Sequence, residues 1–329
     1  MRGAVSRRGW VLFAVMCLVW GIPYLFIKVA VGQVSVPVVV FARTAVGALL
    51  LLPLVVRSAR QGKARKGGGE LDALRRHWRP LVAFAALEII IPWGLLSAAE
   101  QKLPSSLAGL LIAAVPIISV VTARLTGDSE RLSPRRWSGL IIGLAGVAVL
   151  AAPDLTGGSG LAVTEVLLVA LGYATAPLIA ARKLADVPAL PMTAACLSLG
   201  ALVWLPAAIA TWPQQVPSGR ALAALAALGV ICTACAFLVF LALIREVGTS
   251  RAMVFTYVNP AVAVAAGVAF LAEPFTVTIA VSFALILAGS LLATGAGQGA
   301  RSRDPAAGDG LVQPDRVSRR RPPRLRSRS

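Results

Sequence analysis

Apolar runs long enough to cross a lipid bilayer follow one another along almost the whole of this chain. A membrane-crossing helix needs about 20 mainly apolar residues. Ten runs of about this length lie between short polar breaks, at residues 10–31, 36–56, 80–99, 104–125, 137–152, 161–181, 190–211, 221–244, 251–271 and 276–295. Only 14% of the residues are charged, which is too little polar surface to cover a water-facing globule. The sequence therefore predicts an all-α integral membrane protein with ten transmembrane helices.

The basic residues predict how these helices are oriented. Lys and Arg concentrate on the cytoplasmic side of membrane proteins. With the N-terminus in the cytoplasm, only Lys28, Arg43, Lys102 and Arg220 of the 32 Lys and Arg residues lie elsewhere. We therefore expect a multi-pass protein of the bacterial inner membrane with both termini in the cytoplasm. The net charge of +18 is explained by this topology, and nucleic acid is not an expected partner.

The two ends of the chain differ in character. The first apolar run lacks an A-x-A cleavage site, so it is predicted to be a retained helix behind a cytoplasmic segment of residues 1–9. Residues 298–329 are rich in Arg, Ser, Pro, Gly and Asp, and they predict a disordered basic cytoplasmic tail. Such a tail can contact anionic lipid head groups, or it can serve only retention and solubility.

An internal repeat relates the two halves of the sequence. Ser105-Ser106-x-Ala108 matches Thr249-Ser250-x-Ala252, and Pro116 matches Pro260, 144 positions later. Glu130-Arg131-Leu132-Ser133 likewise matches Glu273-Pro274-Phe275-Thr276. An odd number of spans in each half makes the halves opposite in orientation. We predict two inverted five-helix repeats, residues 10–152 and 161–295, an architecture typical of secondary transporters that work by alternating access.

Short motifs resemble those of the EamA type in the drug/metabolite transporter superfamily, over residues 10–295. The residues that carry the resemblance are Trp20-Gly21, Lys28, Phe41-x-Arg43, Leu103-Pro104-Ser105-Ser106-Leu107-Ala108-Gly109-Leu110-Leu111, Pro116, Glu130-Arg131-Leu132-Ser133, Gly139, Gly143 and Gly146. The resemblance implies a ten-helix carrier of a small metabolite or drug-like solute with a central cavity, and export as the preferred direction. It does not imply a particular substrate.

Two ionisable residues lie inside predicted spans, where charge is costly and commonly functional. Arg43 lies about seven residues from the outer end of the second span, and Glu88 lies near the middle of the third. Because these spans are antiparallel neighbours, the two side chains are placed at similar depth and are predicted to pair. Arg43 is a candidate anchor for an anionic substrate group and Glu88 a candidate proton-coupling carboxylate. The alternative is a purely structural ion pair.

Aromatic, amide and proline residues complete the predicted lining of a binding site. The candidate substrate-binding residues besides Arg43 and Glu88 are Trp20, Tyr24, Trp93, Tyr173, Phe255, Tyr257 and Asn259. The candidate helix breaks are Pro92, Pro116, Pro177 and Pro260. A proline inside a span frees a backbone carbonyl, which is tolerated beside protein or a water-filled cavity. Helix kinking for packing alone is the competing interpretation.

Other classes of protein find less support in the sequence. Cys232-x-x-Cys235 lies inside a predicted span and His77 is the only histidine, so we expect no metal, no cofactor and no enzyme activity. A non-transporting sensor or scaffold is the leading alternative, ahead of a membrane-embedded enzyme. Gly139-x-x-x-Gly143 predicts close helix contact, within one chain or in a homodimer.

Overall fold

The fold was obtained as a computed structural model, which describes residues 6–62, 70–126, 133–248 and 252–294. These residues are almost entirely helical, and no strand occurs in the described ranges. Ten helices follow the ten predicted apolar runs. Their bounds are α1 Arg7–Val31, α2 Val36–Gly62, α3 Trp78–Ala99, α4 Ser105–Leu125, α5 Pro134–Thr156, α6 Gly160–Lys183, α7 Ala189–Ala210, α8 Gly219–Val247, α9 Asn259–Leu271 and α10 Val277–Thr294.

The lengths of these helices fit a multi-pass membrane protein. Helices α1 to α8 are long and apolar enough to cross a membrane, whereas α9 and α10 are apolar but shorter. A short helix, Glu70–Arg76, precedes α3, and a 3₁₀ turn, Met253–Tyr257, precedes α9. The motif residues Glu130, Arg131, Leu132, Thr249 and Ser250, and the whole 298–329 tail, lie outside the described residues.

Four of the ten helices are interrupted. Helix α1 breaks at Ile22, directly before Pro23, and α4 breaks at residues 113–114, directly before Val115 and Pro116. Helices α3 and α8 instead contain wider turns in π-helical geometry, at Ala86–Ile90 and Val230–Cys235. Such π segments insert an extra residue per turn and are common at functional sites.

Helix packing runs mainly between the two halves of the sequence. The main contacts join α1 to α8, α2 to α7, α3 to α6, α4 to α9, and α5 to α10. Helix α4 also packs on α6, and α9 also packs on α1. The core of the described residues is therefore shared between the halves, and its two main clusters contain side chains of both.

Side-chain exposure follows the pattern expected for a lipid-facing bundle. Large apolar side chains remain on the outer surface, as at Leu49 and Ile141, where lipid rather than water is the natural solvent. Trp10, Trp78, Trp137 and Trp212 are exposed near helix ends, where tryptophan is enriched in membrane proteins.

The bundle has two ends, which are called distal and proximal. The distal end holds Val31 and Val36, and the proximal end holds Arg7. At the distal end, Gln33 Oε1 accepts a hydrogen bond from the Ser218 backbone N–H at 2.8 Å. At the proximal end, Ser6 Oγ donates to Glu246 Oε1 at 2.6 Å, and His77 lies 3.0 Å from Asp186. Both ends therefore have contacts between the halves.

Glycines allow α5 and α10 to cross at very short range. A Cβ atom added at Gly289 of α10 would collide with the backbone of Gly143, and one at Gly139 would collide with the backbone of Ala293. The predicted Gly139-x-x-x-Gly143 contact therefore forms inside one chain. This face of α5 is already occupied by α10 and is not open to a second copy of the protein.

Candidate functional site

Arg43 of α2 lies at the centre of a polar group in the middle of the bundle. Its side chain is 7% exposed, and its Nε donates a hydrogen bond to Thr233 Oγ1 of α8 at 3.0 Å. Its guanidinium carbon lies 3.6 Å from the centre of the Trp93 ring of α3, in cation–π contact. One charged side chain thus joins three helices, one of them from the second half of the sequence.

The π segment of α8 presents Thr233 to Arg43. Thr233 Oγ1 also donates to the Leu228 carbonyl at 2.8 Å, five residues earlier, where the wider turn leaves a carbonyl available. A Cβ atom at Gly47 of α2 would lie 2.6 Å from Thr233 Cγ2, so only glycine lets the two helices approach so closely. The sequence interpretation did not include Thr233, because an isolated threonine in an apolar run carries no distinctive signal.

The π segment of α3 places Trp93 in the same way. Pro92 is in the first turn of the helix segment that follows the π turn, and the Trp93 ring is 6% exposed. Trp204 Nε1 of α7 donates a hydrogen bond to the Ile90 carbonyl at 3.1 Å. Ile90 is the last residue of the π segment, so this bond satisfies a carbonyl at the end of the irregular turn. Trp204 in turn lies against Gly94, where a Cβ atom would meet its ring at 2.5 Å.

The predicted ion pair between Arg43 and Glu88 is not present. Arg43 lies at the level of Trp93, which is five residues beyond Glu88 and therefore about 7 Å further along α3. The prediction was wrong because depth estimated from span length is not accurate to one helical turn, and a difference of that size is enough to separate two side chains. Glu88 is half-buried in the π segment, and its Oε2 has no hydrogen-bond partner among the described residues.

Two tyrosines complete the group around Arg43. Tyr24 of α1 is buried in the main core, and Tyr173 of α6 packs against the same core and against the cluster that contains Trp93. Both tyrosines lie within electrostatic range of Arg43. The structure thus brings together Tyr24, Arg43, Trp93 and Tyr173 from the predicted set. Glu88 lies five residues before Trp93 on α3.

Trp20 and Phe255 belong to a neighbouring aromatic cluster. The Trp20 ring centre lies 5.2 Å from that of Phe255, 5.0 Å from that of Phe240 and 5.6 Å from that of Phe237. Phe255 is only 1% exposed, so its role here is packing between α1, α8 and the turn before α9.

Asn259 holds the interrupted start of α9 against α1. Its amide lies 3.2 Å from the Cys17 carbonyl and 3.1 Å from the Phe255 carbonyl, so the amide nitrogen is the end that faces these acceptors. Gly21 of α1 allows this approach, since a Cβ atom there would lie 3.2 Å from the Asn259 carbonyl. Tyr257, in the preceding 3₁₀ turn, is half-buried.

The four predicted proline breaks divide into two groups. Pro92, Pro116 and Pro260 each lie in the first turn of a helix segment that follows an interruption. Ser290 Oγ of α10 donates to the Ala113 carbonyl at 3.3 Å, within the break before Pro116. Pro177 does not break its helix, because α6 continues through it and the ring is exposed on the outer surface. The prediction of a helix break at Pro177 is therefore wrong.

A second polar cluster, which the sequence interpretation missed in part, lies at the distal end. Lys28 Nζ donates to the Glu100 carbonyl at 2.7 Å and to the Leu103 carbonyl at 2.8 Å. Lys28 therefore binds the α3–α4 connection. Glu273 accepts hydrogen bonds from the backbone N–H groups of Ser105 and Ser106 at 2.7 and 2.9 Å, which caps α4.

An apolar groove of about 390 Å³ lies between α9 and α10, away from both polar groups. Its lining includes Val264, Val268, Phe275 and Phe283, which offer no hydrogen-bonding side chain to a polar solute. The groove is suited to lipid chains and does not bear on recognition of a solute.

Comparison with known proteins places this arrangement in a family. The chain matches the EamA-like transporter family twice, over residues 7–152 and again over residues 160–295. The inner membrane transporter YedA of Escherichia coli K12, itself uncharacterized, is 28% identical over 264 residues, which cover 78% of this chain and 80% of YedA. The uncharacterized transporter YvbV of Bacillus subtilis 168 is 27% identical over 294 residues, which cover 87% of this chain and 92% of YvbV.

A solved structure supports the fold alone. A chain from a crystal structure, described only as a protein, matches with a TM-score of 0.60 and 23% sequence identity. The match covers 90% of this chain and 100% of that one. The two family matches span nearly all of the helical part of the sequence, and the chain therefore belongs to the EamA-like transporter family.

Proposed function

We propose that this protein is a secondary transporter that moves a small metabolite or drug-like solute by alternating access, with export as the preferred direction. The two five-helix halves, residues 10–152 and 161–295, lie in opposite orientations and rock about a site between them. The observation that carries the proposal is the exchange symmetry of the helix packing, because a bundle of two inverted copies requires it.

The main helix contacts have this symmetry, whereas smaller ones, such as that of α4 with α10, do not follow it. If each helix is replaced by the one five places away, the α1–α8 contact becomes the α6–α3 contact, and the α4–α6 contact becomes the α9–α1 contact. The pairs α2–α7, α4–α9 and α5–α10 are unchanged by the exchange. All of these contacts are present, which supports ten crossings even though α9 and α10 are short.

The irregular turns support the same symmetry. The π segments at Ala86–Ile90 and Val230–Cys235 begin 144 positions apart, the same separation as Pro116 and Pro260. The segments that contain these prolines begin at Val115 and Asn259, again 144 positions apart. Matched interruptions near mid-membrane are where inverted-repeat carriers place their substrates.

Arg43 is the proposed anchor of the solute. A guanidinium has five N–H donors in a fixed fork, and the Nε–H to Thr233 is its one hydrogen bond within the described part of the chain. The terminal nitrogens are suited to a carboxylate, a phosphate or a carbonyl group. Trp93, Tyr24 and Tyr173 offer flat apolar faces beside it, so we propose an anionic or amphiphilic solute with one such group.

The remaining features of the proposal concern the membrane. YedA is named as an inner membrane transporter, and we propose the same membrane here, with both termini in the cytoplasm and the distal end outside. Glu88, whose Oε2 has no hydrogen-bond partner among the described residues, remains a proposed carboxylate for proton coupling. The basic 298–329 tail is proposed to contact anionic lipids.

Flux into liposomes tests the proposal directly. Purified protein is reconstituted and supplied with a panel of amino acids, organic acids, phosphorylated metabolites and cationic drugs, with and without a pH gradient. We expect protein-dependent flux of an anionic or amphiphilic member, reduced at least tenfold in Arg43→Gln. Arg57→Gln, at an exposed position on the same helix, is the matched control and should transport normally. Absence of flux for the whole panel, with folded protein, would favour the sensor or scaffold.

A further inference from the structure

Glu100, at the distal end, is the most deeply buried acidic side chain that the proposed solute site does not use. It follows directly after α3 and lies outside the membrane-spanning segments as defined by their bounds. Its side chain is 0% exposed, and neither carboxyl oxygen has a hydrogen-bond partner among the described residues. Its backbone carbonyl, in contrast, accepts a hydrogen bond from Lys28.

The charged and titratable neighbours of Glu100 do not neutralise it by contact. They are Lys28 and Tyr24 from α1, Arg43 from α2 and Glu273 from the α9–α10 connection. Lys28 donates two of its three N–H groups to the Glu100 and Leu103 carbonyls. Glu273 adds a second negative charge nearby, and its two oxygens are held by the α4 backbone. No ion pair to Glu100 occurs within the described ranges.

An ionised carboxylate in such a place is unfavourable. Removing a charge from water is costly unless a partner and hydrogen bonds replace the solvent. Burial raises the pKa of Glu100 well above that of a free glutamate, and the charge of Lys28 offsets the rise only in part. The neutral acid, with a proton on one oxygen, is the form that this site stabilises.

We propose that Glu100 is a proton-binding site of the carrier, occupied by a proton while the distal end is closed and emptied into water when that end opens. In the opening step, the O–H bond of the carboxyl group breaks, the proton passes to water, and a carboxylate remains. The proposal rests on the proposed transport function, because it assigns the proton as the coupling ion and Glu100 as its carrier.

The contacts around Glu100 connect its proton to closure of the distal end. The same few residues carry the Lys28 bonds to the α3–α4 connection and the Glu273 cap of α4. A second negative charge at Glu100 would repel Glu273 and attract Lys28 away from its two carbonyls. Loss of the proton therefore weakens the contacts that join the α9–α10 connection to the first half of the chain.

A proton suits this site better than a metal cation. A proton needs only one carboxyl oxygen, whereas a sodium or calcium ion needs a shell of several oxygens at contact distance. The Lys28 ammonium group, bound beside the Glu100 carbonyl, also repels a second cation.

Infrared spectroscopy of the full-length protein in lipid nanodiscs tests the site without a substrate. A protonated carboxyl group has a C=O stretching band that ionised carboxylates lack and that shifts in D₂O. We expect this band in the wild type at neutral pH, its loss on alkaline titration, and a clear reduction in Glu100→Gln. Glu246→Gln, at an exposed position, should leave it unchanged, and Glu88→Gln reports the contribution of Glu88 separately. An unchanged band in folded Glu100→Gln protein would overturn the proposal.

The pH dependence of stability provides a second measurement. A carboxyl whose pKa is raised by folding contributes full stability below its unfolded pKa, and that stability is lost as the pH rises through the folded pKa. We therefore expect the wild-type melting temperature to fall from acid to alkaline pH, and to fall less in Glu100→Gln. A Glu100→Gln protein that does not fold at any pH would count against the proposal, because an amide closely replaces a neutral acid.

Two further arms separate the possible outcomes. Exchange of sodium for choline should leave the band and the melting temperature unchanged, and a sodium-dependent change would assign a metal cation instead. Because neither readout needs a solute, loss of flux alone contradicts the transport proposal, whereas an absent Glu100 proton contradicts only this one.

Discussion

At the scale of single residues, the centre of the protein is organised by one cation that contacts three helices. Arg43 bonds Thr233 through Nε and lies against the face of Trp93. A lysine could replace the charge but not the planar fork or the stacked face, so the site depends on arginine in particular. Within the described part of the chain, the terminal nitrogens of Arg43 have no hydrogen bond, so they are available for the proposed solute.

Thr233 provides a prediction for this group. Thr233→Val removes the acceptor of Arg43 Nε while it keeps the side-chain volume, and it leaves a buried charged donor unpaired. We expect a loss of about 1–3 kcal/mol in the free energy of unfolding, seen as a lower melting temperature in detergent. Thr233→Ser keeps the hydroxyl and should lose much less. Equal melting temperatures for the two variants would mean that the hydrogen bond contributes little.

Sequence reasoning located most of this group but not its contacts. Arg43, Tyr24, Trp93 and Tyr173 were recognisable because charge and aromatic rings are unusual in apolar runs. The partner of Arg43 was not, because the rotation of each helix about its axis decides which side chains meet, and span lengths carry no information on rotation. Glu100 was passed over because a charged residue at the end of a span is ordinary, and only the structure shows it to be buried.

At the scale of elements, the helices are of two kinds, interrupted and continuous. Helices α1, α3, α4 and α8 contain the interruptions, and α2, α5, α6, α7 and α10 run without a break. The breaks at Pro116 and Pro260 were predictable, since proline removes a backbone donor. The π segments were not, because Ala86–Ile90 and Val230–Cys235 contain no proline and read as ordinary apolar sequence.

The crossing of α5 and α10 provides a prediction at this scale. Gly289→Ala places a methyl group against the backbone of Gly143, which cannot move aside as a flexible side chain would. We expect separation of the two helices, a loss of roughly 1–3 kcal/mol, and a lower melting temperature. Gly219→Ala is the control, because nothing lies within 4 Å of its added Cβ. An unchanged melting temperature for Gly289→Ala would show that the helices can separate without cost.

At the scale of the whole molecule, the two ends of the bundle are held by different chemistry. At the distal end, Glu273 joins the halves by accepting a hydrogen bond from the Ser105 backbone, and Lys28 binds the α3–α4 connection within the first half. The proximal end has side-chain pairs, such as Ser6 with Glu246 and His77 with Asp186. The apolar runs predicted the order of the helices, because each span needs its own apolar stretch, but several bounds differ: the run at 251–271 contains a helix only from Asn259, and the run at 36–56 continues to Gly62. The packing between the two halves could not be predicted in this way, because it depends on the shapes of the helix surfaces that meet.

Orientation in the membrane is the prediction that belongs to this scale. In a background with the four native cysteines replaced, Lys102→Cys at the distal end should react with a membrane-impermeant maleimide in intact cells. Lys183→Cys at the proximal end should react only after the membrane is permeabilised. Both positions are exposed, so access to the reagent depends on the side of the membrane. Labelling in the reverse pattern would invert the proposed topology and place the basic connections outside.

The interleaved packing described above bears on how such a carrier can arise. Because α1 meets α8, α2 meets α7 and α3 meets α6, the core exists only when both halves are present. We infer that the connection at residues 157–159 is a tether and adds little to the fold itself. Two separate half-length chains would bury the same surfaces if they associated. The chain thus has the packing of a dimer whose two subunits are joined, and a substitution on the inner face of one half meets side chains of the other.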